Sequence, residues 1–285
     1  MLFWPTSAHD LLERILLDEN KDPTNFPIGL LKSITNDFSD DQKIGSGGFA
    51  DVYKGQLQSG IVAVKKLKEL SGKTEDLEVY EKKFLQEVDS LMKVKHKNIV
   101  RFLGYCFDTQ GKVWKHKGNN VVAEERQRFF CFEFLPQGSL DKHISDASNG
   151  LEWRTRYHII KGICEGLKYL HRMKIVHADL KPENILLDHN MVPKICDFGL
   201  ARSFHGEQTR AITQKVFGTP GYMAPEYCNG VITFKSDIYS LGIIITEMLT
   251  GQKKDDLSIE NVRTMYMKTG LLGSKPLMEA HGWNM

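Results

Sequence analysis

The stretch "IVHADLKPENILLD", residues 175–188, sets Asp179, Lys181 and Asn184 at short, fixed intervals. A carboxylate there can orient an incoming hydroxyl and accept its proton. The lysine can neutralise a transferring phosphoryl group, and the asparagine can hold a metal ion. The "KICDFGLA" segment follows and adds Asp197, a second oxygen ligand suited to Mg²⁺, a hard cation that prefers a few carboxylates and phosphate oxygens. An Asp-Phe-Gly triplet occurs by chance in many chains; the ordered set does not.

Further upstream, "IGSGGFADVYKG" places Gly45, Gly47 and Gly48 between two strand-like segments. Glycines let backbone N–H groups approach phosphate oxygens with no Cβ in the way. The context excludes two familiar loops. No Gly-Lys-Ser/Thr follows, as a Walker A loop requires, and a strand rather than a helix comes next, unlike a dinucleotide fold. A strand-loop-strand flap over a nucleotide remains, with a tight hairpin as the bland alternative. Lys65, in "VAVKK", ends the next strand, and Glu87 lies in the helical stretch beyond it. Paired, the two would fix the ammonium on phosphates.

These groups need elements to carry them. The first 35 residues read as an appendage with a helix over "AHDLLERILLDE" capped by Ser7. Residues 38–64 show short apolar alternations broken by glycines, which predict antiparallel strands. The pattern at Phe84, Val88, Leu91 and Met92 predicts a helix over residues 77–95. Strands resume at "NIVRFLGYCF" and "RFFCFEFL", separated by about 108–128, a polar stretch read as a solvated loop insertion. From Trp153 the pattern is mostly helical. "FKSDIYSLGIIITEMLT" is apolar nearly all round and belongs at the centre of its lobe. The expectation is an α+β chain: a β-rich lobe with one helix, then a helical lobe.

Bulk properties agree with a globular chain of 285 residues, with 41% hydrophobic and 26% charged residues. A net charge of +2 argues against a nucleic-acid binder working by charge alone, and Lys115 and Lys117 are too few to make the insertion one. The five scattered cysteines include no C-x-x-C pair, which fits reduced thiols in a cytosolic setting. Residues 241–249 are too short an apolar run to cross a bilayer, and neither a signal peptide nor a lipidation signal is expected.

The motifs together resemble eukaryotic protein kinases, and within them the plant receptor-like and receptor-like cytoplasmic kinases. "ITNDFS", "HKNIVRFLGYC", "FEFLPQGSLDKHI", "DLKPENILLD" and "GTPGYMAPEY" carry the resemblance, which covers about residues 34–251. It implies a two-lobed kinase fold, ATP and Mg²⁺ as cofactors, and a protein substrate phosphorylated on Ser or Thr. The boundaries implied are an extension over 1–35, an N-lobe and hinge over 36–135, and a C-lobe over 136–285 with a divergent tail from 252. The resemblance gives Asp179, Lys181, Lys65 and Glu87 catalytic roles, and Asn184 and Asp197 the metal. Ile44, Gly45, Gly47, Val52, Ala63, Lys65, Phe132, Glu133, Leu135, Asp141 and Leu186 would bind the nucleotide. Val52 and Ala63 would roof the adenine and Leu186 would floor it, Phe132 would be the gatekeeper, Glu133 and Leu135 the hinge, and Asp141 the ribose contact. Leu91, Phe102, His177 and Phe198 match the family's stacked apolar column, anchored by Asp237. Ser203, Thr209 and Thr213 are candidate phosphosites in the activation segment, and Thr219 shapes the substrate site.

Three departures stand out. Ala50 replaces the third glycine of the flap. Ala178 replaces an arginine that in most relatives pairs with activation-segment phosphate, which is the non-RD pattern seen among plant immune-signalling kinases. The helical lobe is expected to lack its last helices, with Arg263 too early to pair with Glu226, so that Glu226 is left unpaired. The resemblance thus implies a cytoplasmic Ser/Thr kinase in intracellular signalling, with plant defence as the expected setting, recruited to the inner face of the plasma membrane by an upstream receptor or completed by a partner. The alternative is a nucleotide-binding, catalytically impaired scaffold or decoy.

Overall fold

The computed structural model describes residues 7–68, 74–116, 119–144 and 150–252. The chain divides into two units, Met1–Pro136 and Gln137–Met285. The tail after Gln252, with Arg263, and Lys117 in the insertion lie outside the described residues.

In the first unit the order is α1 (Ala8–Leu17), β1 (Thr24–Asn25), α2 (Ile28–Ile34), β2 (Lys43–Ser46), β3 (Ala50–Gln56), β4 (Ile61–Leu67), α3 (Thr74–Met92), β5 (Phe102–His116) and β6 (Asn119–Glu133). The strands form one sheet in the order β1-β5-β6-β4-β3-β2, antiparallel except where β1 meets β5. Alternation sorts its two faces. Val62, Val64, Phe129 and Cys131 point into a core shared with Leu12, Ile15, Phe26, Leu30, Leu31 and Ile34. On the other face Phe130 stacks against Phe84 of α3, with ring centroids 4.9 Å apart.

The segment from α1 to α2 is therefore part of the core rather than an appendage. Ser7 caps α1 in a reciprocal box: its Oγ accepts from Asp10 N at 3.1 Å, and its own N–H donates to Asp10 Oδ2 at 3.2 Å. The leucine face of α1 and an apolar sheet face each need a cover, and each supplies the other's. Gly104 permits the close approach of β1, because a Cβ there would lie 2.2 Å from Thr24 O.

The segment expected to be a loop insertion is also ordered. β5 and β6 continue past the sheet as a two-stranded ribbon, paired as far as His116 with Asn119. The apolar residues of this stretch, Val113 and Trp114 on one strand and Val121, Val122 and Ala123 on the other, are adjacent rather than alternating, so its strand character leaves no periodic signature.

The second unit holds α4 (Asp141–Ile144), α5 (Trp153–Arg172), β7 (Ile175–Val176), β8 (Ile185–Leu187), β9 (Pro193–Ile195), β10 (Arg202–Ser203), β11 (Arg210–Ile212), α6 (Pro225–Cys228), β12 (Val231–Thr233) and α7 (Phe234–Thr250). Three small antiparallel pairs, β7 with β10, β8 with β9 and β11 with β12, hold the stretches between residues 175 and 233. α5 buries Ile159, Ile163, Leu167 and Leu170, one face of an amphipathic helix.

α7 departs from the expected all-apolar burial. It buries Ser236, Asp237, Ser240 and Glu247 beside Leu241, Ile244 and Met248, whereas Ile238 and Tyr239 are exposed. Its inward polar groups are hydrogen-bonded: Ser240 Oγ donates to Tyr222 O at 2.7 Å, and Tyr222 Oη donates to both Glu247 carboxylate oxygens at 2.9 Å. α7 is thus a scaffold that ties neighbouring loops through buried acceptors.

Candidate active site

Each unit carries one set of the residues singled out by the sequence. In the first, cross-strand register gathers side chains on one sheet face. Val52 is paired with Lys65, Lys65 with Phe130, and Ala63 with Phe132. Because residues in register share a face, these side chains project together, opposite the core face. Lys65 Nζ lies 3.4 Å from Glu87 Oε1, with side chains only 16% and 9% exposed. Partial burial and a defined partner separate this lysine from a solvated surface charge. Ile44, on β2, is half exposed.

The glycine-rich turn is held from outside. Lys68 Nζ donates to Gly47 O at 2.7 Å, and Gly47 N–H donates to Ala50 O at 2.8 Å. Ser46 Oγ donates to Asp51 Oδ1 at 2.6 Å, and Asp51 also pairs with Lys68 and Lys43 at 3.3 and 3.7 Å. The Ser46 hydrogen bond, followed by the two lysines, holds the Asp51 carboxyl below its usual range. A Cβ on Gly48 would meet nothing within 4 Å, and Phe49 at the tip is 79% exposed. A Cβ at Gly45 or Gly47 would meet nothing closer than 3.7 Å, so packing among the described residues does not require these glycines.

At the end of β6, Glu133 N–H donates to Arg101 O at 3.0 Å and Glu133 Oε1 accepts from Arg101 N at 2.8 Å. The Arg101 guanidinium also binds the last carbonyls of α1, those of Ile15 and Leu16, and Asp18 O just beyond them. Arg101 thus ties the opening helix to the segment carrying Glu133 and Leu135. Sequence reasoning missed it, because a single arginine between strand residues carries no periodic or motif signal. Leu91 and Phe102 are both buried in this unit.

In the second unit Asp237, 1% exposed, is the organising acceptor. Its Oδ2 accepts from His177 N at 2.9 Å and from His171 Nε2 at 2.8 Å, and its Oδ1 from Ala178 N at 2.9 Å. His177 Nε2 donates to Cys196 O at 2.9 Å, which leaves its Nδ1 to accept from Asp179 N at 3.3 Å. His171 is a second residue the motifs did not indicate. Its place in the last turn of α5, bonded to Asp237 of α7, is a tertiary fact.

The backbone turn so held has Ala178 at φ 65°. This left-handed conformation costs an alanine roughly 1 kcal/mol, and the Asp237 bonds offset it. The Ala178 methyl is buried among Val176, Phe204, Ala224, Tyr227 and Ile232. Apolar packing against Phe204 of the activation segment occupies the place where most relatives were expected to use charge.

Asp179 emerges from that turn with its partners in place. Thr219 Oγ1 donates to Asp179 Oδ1 at 2.8 Å and accepts from Lys181 Nζ at 2.8 Å, while Lys181 Nζ lies 3.3 Å from Asp179 Oδ2. Asn184 Nδ2 donates to Asp179 O at 2.8 Å and to Oδ2 at 3.2 Å. The asparagine's amide nitrogen is spent on Asp179, so its amide oxygen is directed elsewhere. Asn184 O accepts from Cys196 N at 2.9 Å, which draws the residue before Asp197 to the catalytic loop. Asp197 stands at φ 65°, and Phe198, 2% exposed, packs its ring on His177 at 5.5 Å.

An amide oxygen and a carboxylate form a hard-oxygen donor set that fits a divalent cation completed by phosphate oxygens. Among the described residues no group of three or more His, Cys, Asp and Glu could hold a metal by itself, so phosphate oxygens would have to complete the shell. Asp141 Oδ1 is buried with no hydrogen-bond partner among the described residues, an acceptor that suits a sugar hydroxyl. Leu186 sits between buried Ile185 and Leu187 on β8 and is turned to the opposite, more open face.

In the activation segment Ser203 and Thr209 are exposed, and Thr213 Oγ1 donates to Lys215 O at 2.8 Å. Glu226, expected to be unpaired, accepts from Ser236 Oγ at 3.4 Å and is only partly buried. The motif arithmetic looked for an arginine and overlooked the serine one turn into α7.

The protein kinase domain model matches residues 38–269. The chain belongs to the protein kinase family. Its kinase domain is similar to receptor-like kinases of Arabidopsis thaliana. It is 40% identical over 267 residues to the G-type lectin S-receptor-like serine/threonine-protein kinase SD1-13, covering 91% of this chain and 28% of that protein. Cysteine-rich receptor-like protein kinase 25 is 42% identical over 243 residues, 83% of this chain and 33% of the relative. Receptor-like serine/threonine-protein kinase SD1-7 is 43% identical over 230 residues, 78% and 25% respectively. The chain thus spans about a quarter to a third of the length of these relatives. Among the described residues no helix is long and apolar enough to cross a membrane.

Proposed function

We propose that this chain transfers the γ-phosphoryl group of ATP to serine or threonine hydroxyls of a protein substrate. The observation that carries the reading is the Asp179–Lys181–Thr219 triangle, in which one hydroxyl bridges the base and the cation. Asp179 Oδ atoms orient the substrate hydroxyl and take its proton as the oxygen bonds to the γ-phosphorus and the bond to ADP breaks. Lys181 Nζ neutralises charge on the moving phosphoryl group, and Thr219 holds both in register. Lys65, steadied by Glu87, binds the non-transferring phosphates, and the backbone of Gly45 and Gly47 covers them. In the first unit Val52 and Ala63 would contact the base, Phe132 would limit the depth of its pocket, and Glu133 and Leu135 would offer backbone bonds to its edge; in the second, Leu186 would offer the base an apolar face and Asp141 Oδ1 would accept from the ribose. Asn184 and Asp197 would hold Mg²⁺, whose charge offsets that of the phosphate oxygens.

Ala178 bears on regulation rather than chemistry, because it touches none of the groups that move a proton or phosphoryl. We assign the coupling of catalytic loop and activation segment to the apolar cluster around Phe204. The receptor-like relatives favour a place in signalling.

The test is transfer from γ-labelled ATP with Mg²⁺ to peptides that differ only in Ser, Thr or Tyr at the acceptor position. Label on Ser and Thr peptides supports the assignment. Label confined to Tyr, or nucleotide binding with no transfer, would replace it with a tyrosine-specific or a scaffold function.

A further inference from the structure

The ribbon of β5 and β6 has no part in the chemistry above, yet its base is densely hydrogen-bonded. Arg128 sits there, 1% exposed, on the same face of β6 as Phe130 and Phe132. Its Nε donates to Glu81 Oε2 at 3.0 Å and its Nη2 to Glu81 Oε1 at 2.6 Å, a fork on a carboxylate of α3. Its Nη1 donates to Asp108 O at 2.5 Å and Gln127 O at 2.9 Å, and its Nη2 also reaches Thr109 Oγ1 at 3.3 Å. Every N–H donor of the guanidinium therefore has an acceptor. The Phe107 ring covers its plane, 3.6 Å from centroid to Cζ. A second arginine, Arg126, stands 3.8 Å from the same Glu81 oxygen.

We infer that Arg128 is a positioning residue: by gripping Glu81 at the ribbon base it holds α3 in the rotation and register that bring Glu87 to Lys65. Glu81, Phe84, Val88 and Leu91 lie at intervals of three, four and three residues, one stripe along α3, and all but Glu81 are buried apolar side chains. Glu87 lies about 9 Å further along the axis than Glu81, at 1.5 Å per residue. Its partner is on β4, whereas the partner of Glu81 is on β6. Two carboxylates tied to two strands resist any roll or slide of the helix, since either motion stretches both ties. The two ties are unequal. Lys65 to Glu87 is a single contact at 3.4 Å, but Arg128 to Glu81 is bidentate, shorter and nearly sealed from water. The stronger one lies away from the nucleotide-binding residues and needs no modification to form.

A buried ion pair can also be mere packing, replaceable by apolar groups without effect, so the test has to read helix position. Arg128→Met, Arg128→Lys and the double change Arg128→Met with Glu81→Met are compared with wild type by amide exchange over residues 84–92 and by turnover. The double change leaves no orphaned charge and carries the test if Arg128→Met does not fold. The strap predicts exchange over 84–92 faster by about tenfold in the Met variants and less in Arg128→Lys, with α5 unaffected. It also predicts non-additivity: Glu87→Gln lowers turnover alone, and adding it to the double change lowers turnover by no more than about twofold further. Unchanged exchange over 84–92, or losses that multiply, would overturn the inference. The turnover arm rests on the kinase reading and the exchange arm does not. A wild type without transfer therefore sinks that reading, while exchange still decides the strap.

Discussion

Replacing Thr219 by valine keeps the shape of the side chain and deletes the hydroxyl between Asp179 and Lys181. Hydrogen bonds to charged groups are worth about 1.5–3 kcal/mol each, and this hydroxyl makes one to each charge. The full sum is not lost, because Lys181 Nζ stays 3.3 Å from Asp179 Oδ2 and Asn184 Nδ2 still donates to that oxygen. What disappears is the orientation of the base relative to the cation. A loss of about 2–3 kcal/mol in the transition state is expected, or a fall in kcat of about 30- to 150-fold. Thr219 is part-exposed, and its methyl is conserved in valine, so Tm should move by no more than about 3 °C. The assay is the initial rate of transfer from γ-labelled ATP to a serine peptide, with kcat and KM for ATP resolved separately. KM for ATP should stay within about twofold, since in this scheme Thr219 makes no contact with Lys65 or the hinge and acts on the base and Lys181 in the transition state. Thr219→Ser, which retains the hydroxyl, should recover most of the rate. The reasoning is refuted if the valine variant keeps more than a third of the wild-type kcat, or if serine is as damaging as valine.

Further outcomes follow from the same contacts. Ala178→Arg forces a charge against Phe204 and Tyr227, so Tm should fall, and activity should come to depend on activation-segment phosphate; equal responses of variant and wild type to phosphatase would remove the account of that alanine. Asp51 has a depressed pKa, so the stability its network adds is fully present above the usual carboxylate value of 3.8 and is lost only as pH falls through the lower folded value. Protection of the Gly47 amide should therefore persist to pH 4, and its loss between pH 6 and 5 would contradict that sign. The five cysteines are free, and burial pushes the Cys106 and Cys131 thiols up to about 12. Alkylation of the native protein at pH 8 should label exposed Cys228 and spare those two until unfolding, as mass spectrometry of the peptides will show.

The chemistry was more legible than the scaffold. Asp179, Lys181, Asn184 and Asp197 stand in contiguous motifs, and each was placed by identity and spacing. The hydroxyl that joins two of them comes from residue 219, which spacing does not reach and only the family resemblance placed near this loop. The same limit applies to Arg101 and Arg128, whose roles depend on carbonyls and a carboxylate distant in sequence. Periodicity revealed α1, α3, α5 and α7 because each has an apolar stripe, but it could not show that α1 covers the sheet rather than trailing from it. It misread α7, where Ser236, Asp237, Ser240 and Glu247 are buried beside the apolar positions because they bind backbone and side chains of neighbouring segments. It failed on the ribbon, where the apolar residues fall side by side at 113–114 and 121–123 instead of alternating, and cross-strand pairing carries the structure.

The central claim is tested most directly by incubating the purified chain with γ-labelled ATP and Mg²⁺ beside Asp197→Asn and Lys65→Met. The account predicts label on protein serine or threonine with the wild type alone, and the same folded Tm for all three proteins within about 3 °C. Label undiminished in Asp197→Asn, or ATP bound by the wild type without any transfer, would contradict it.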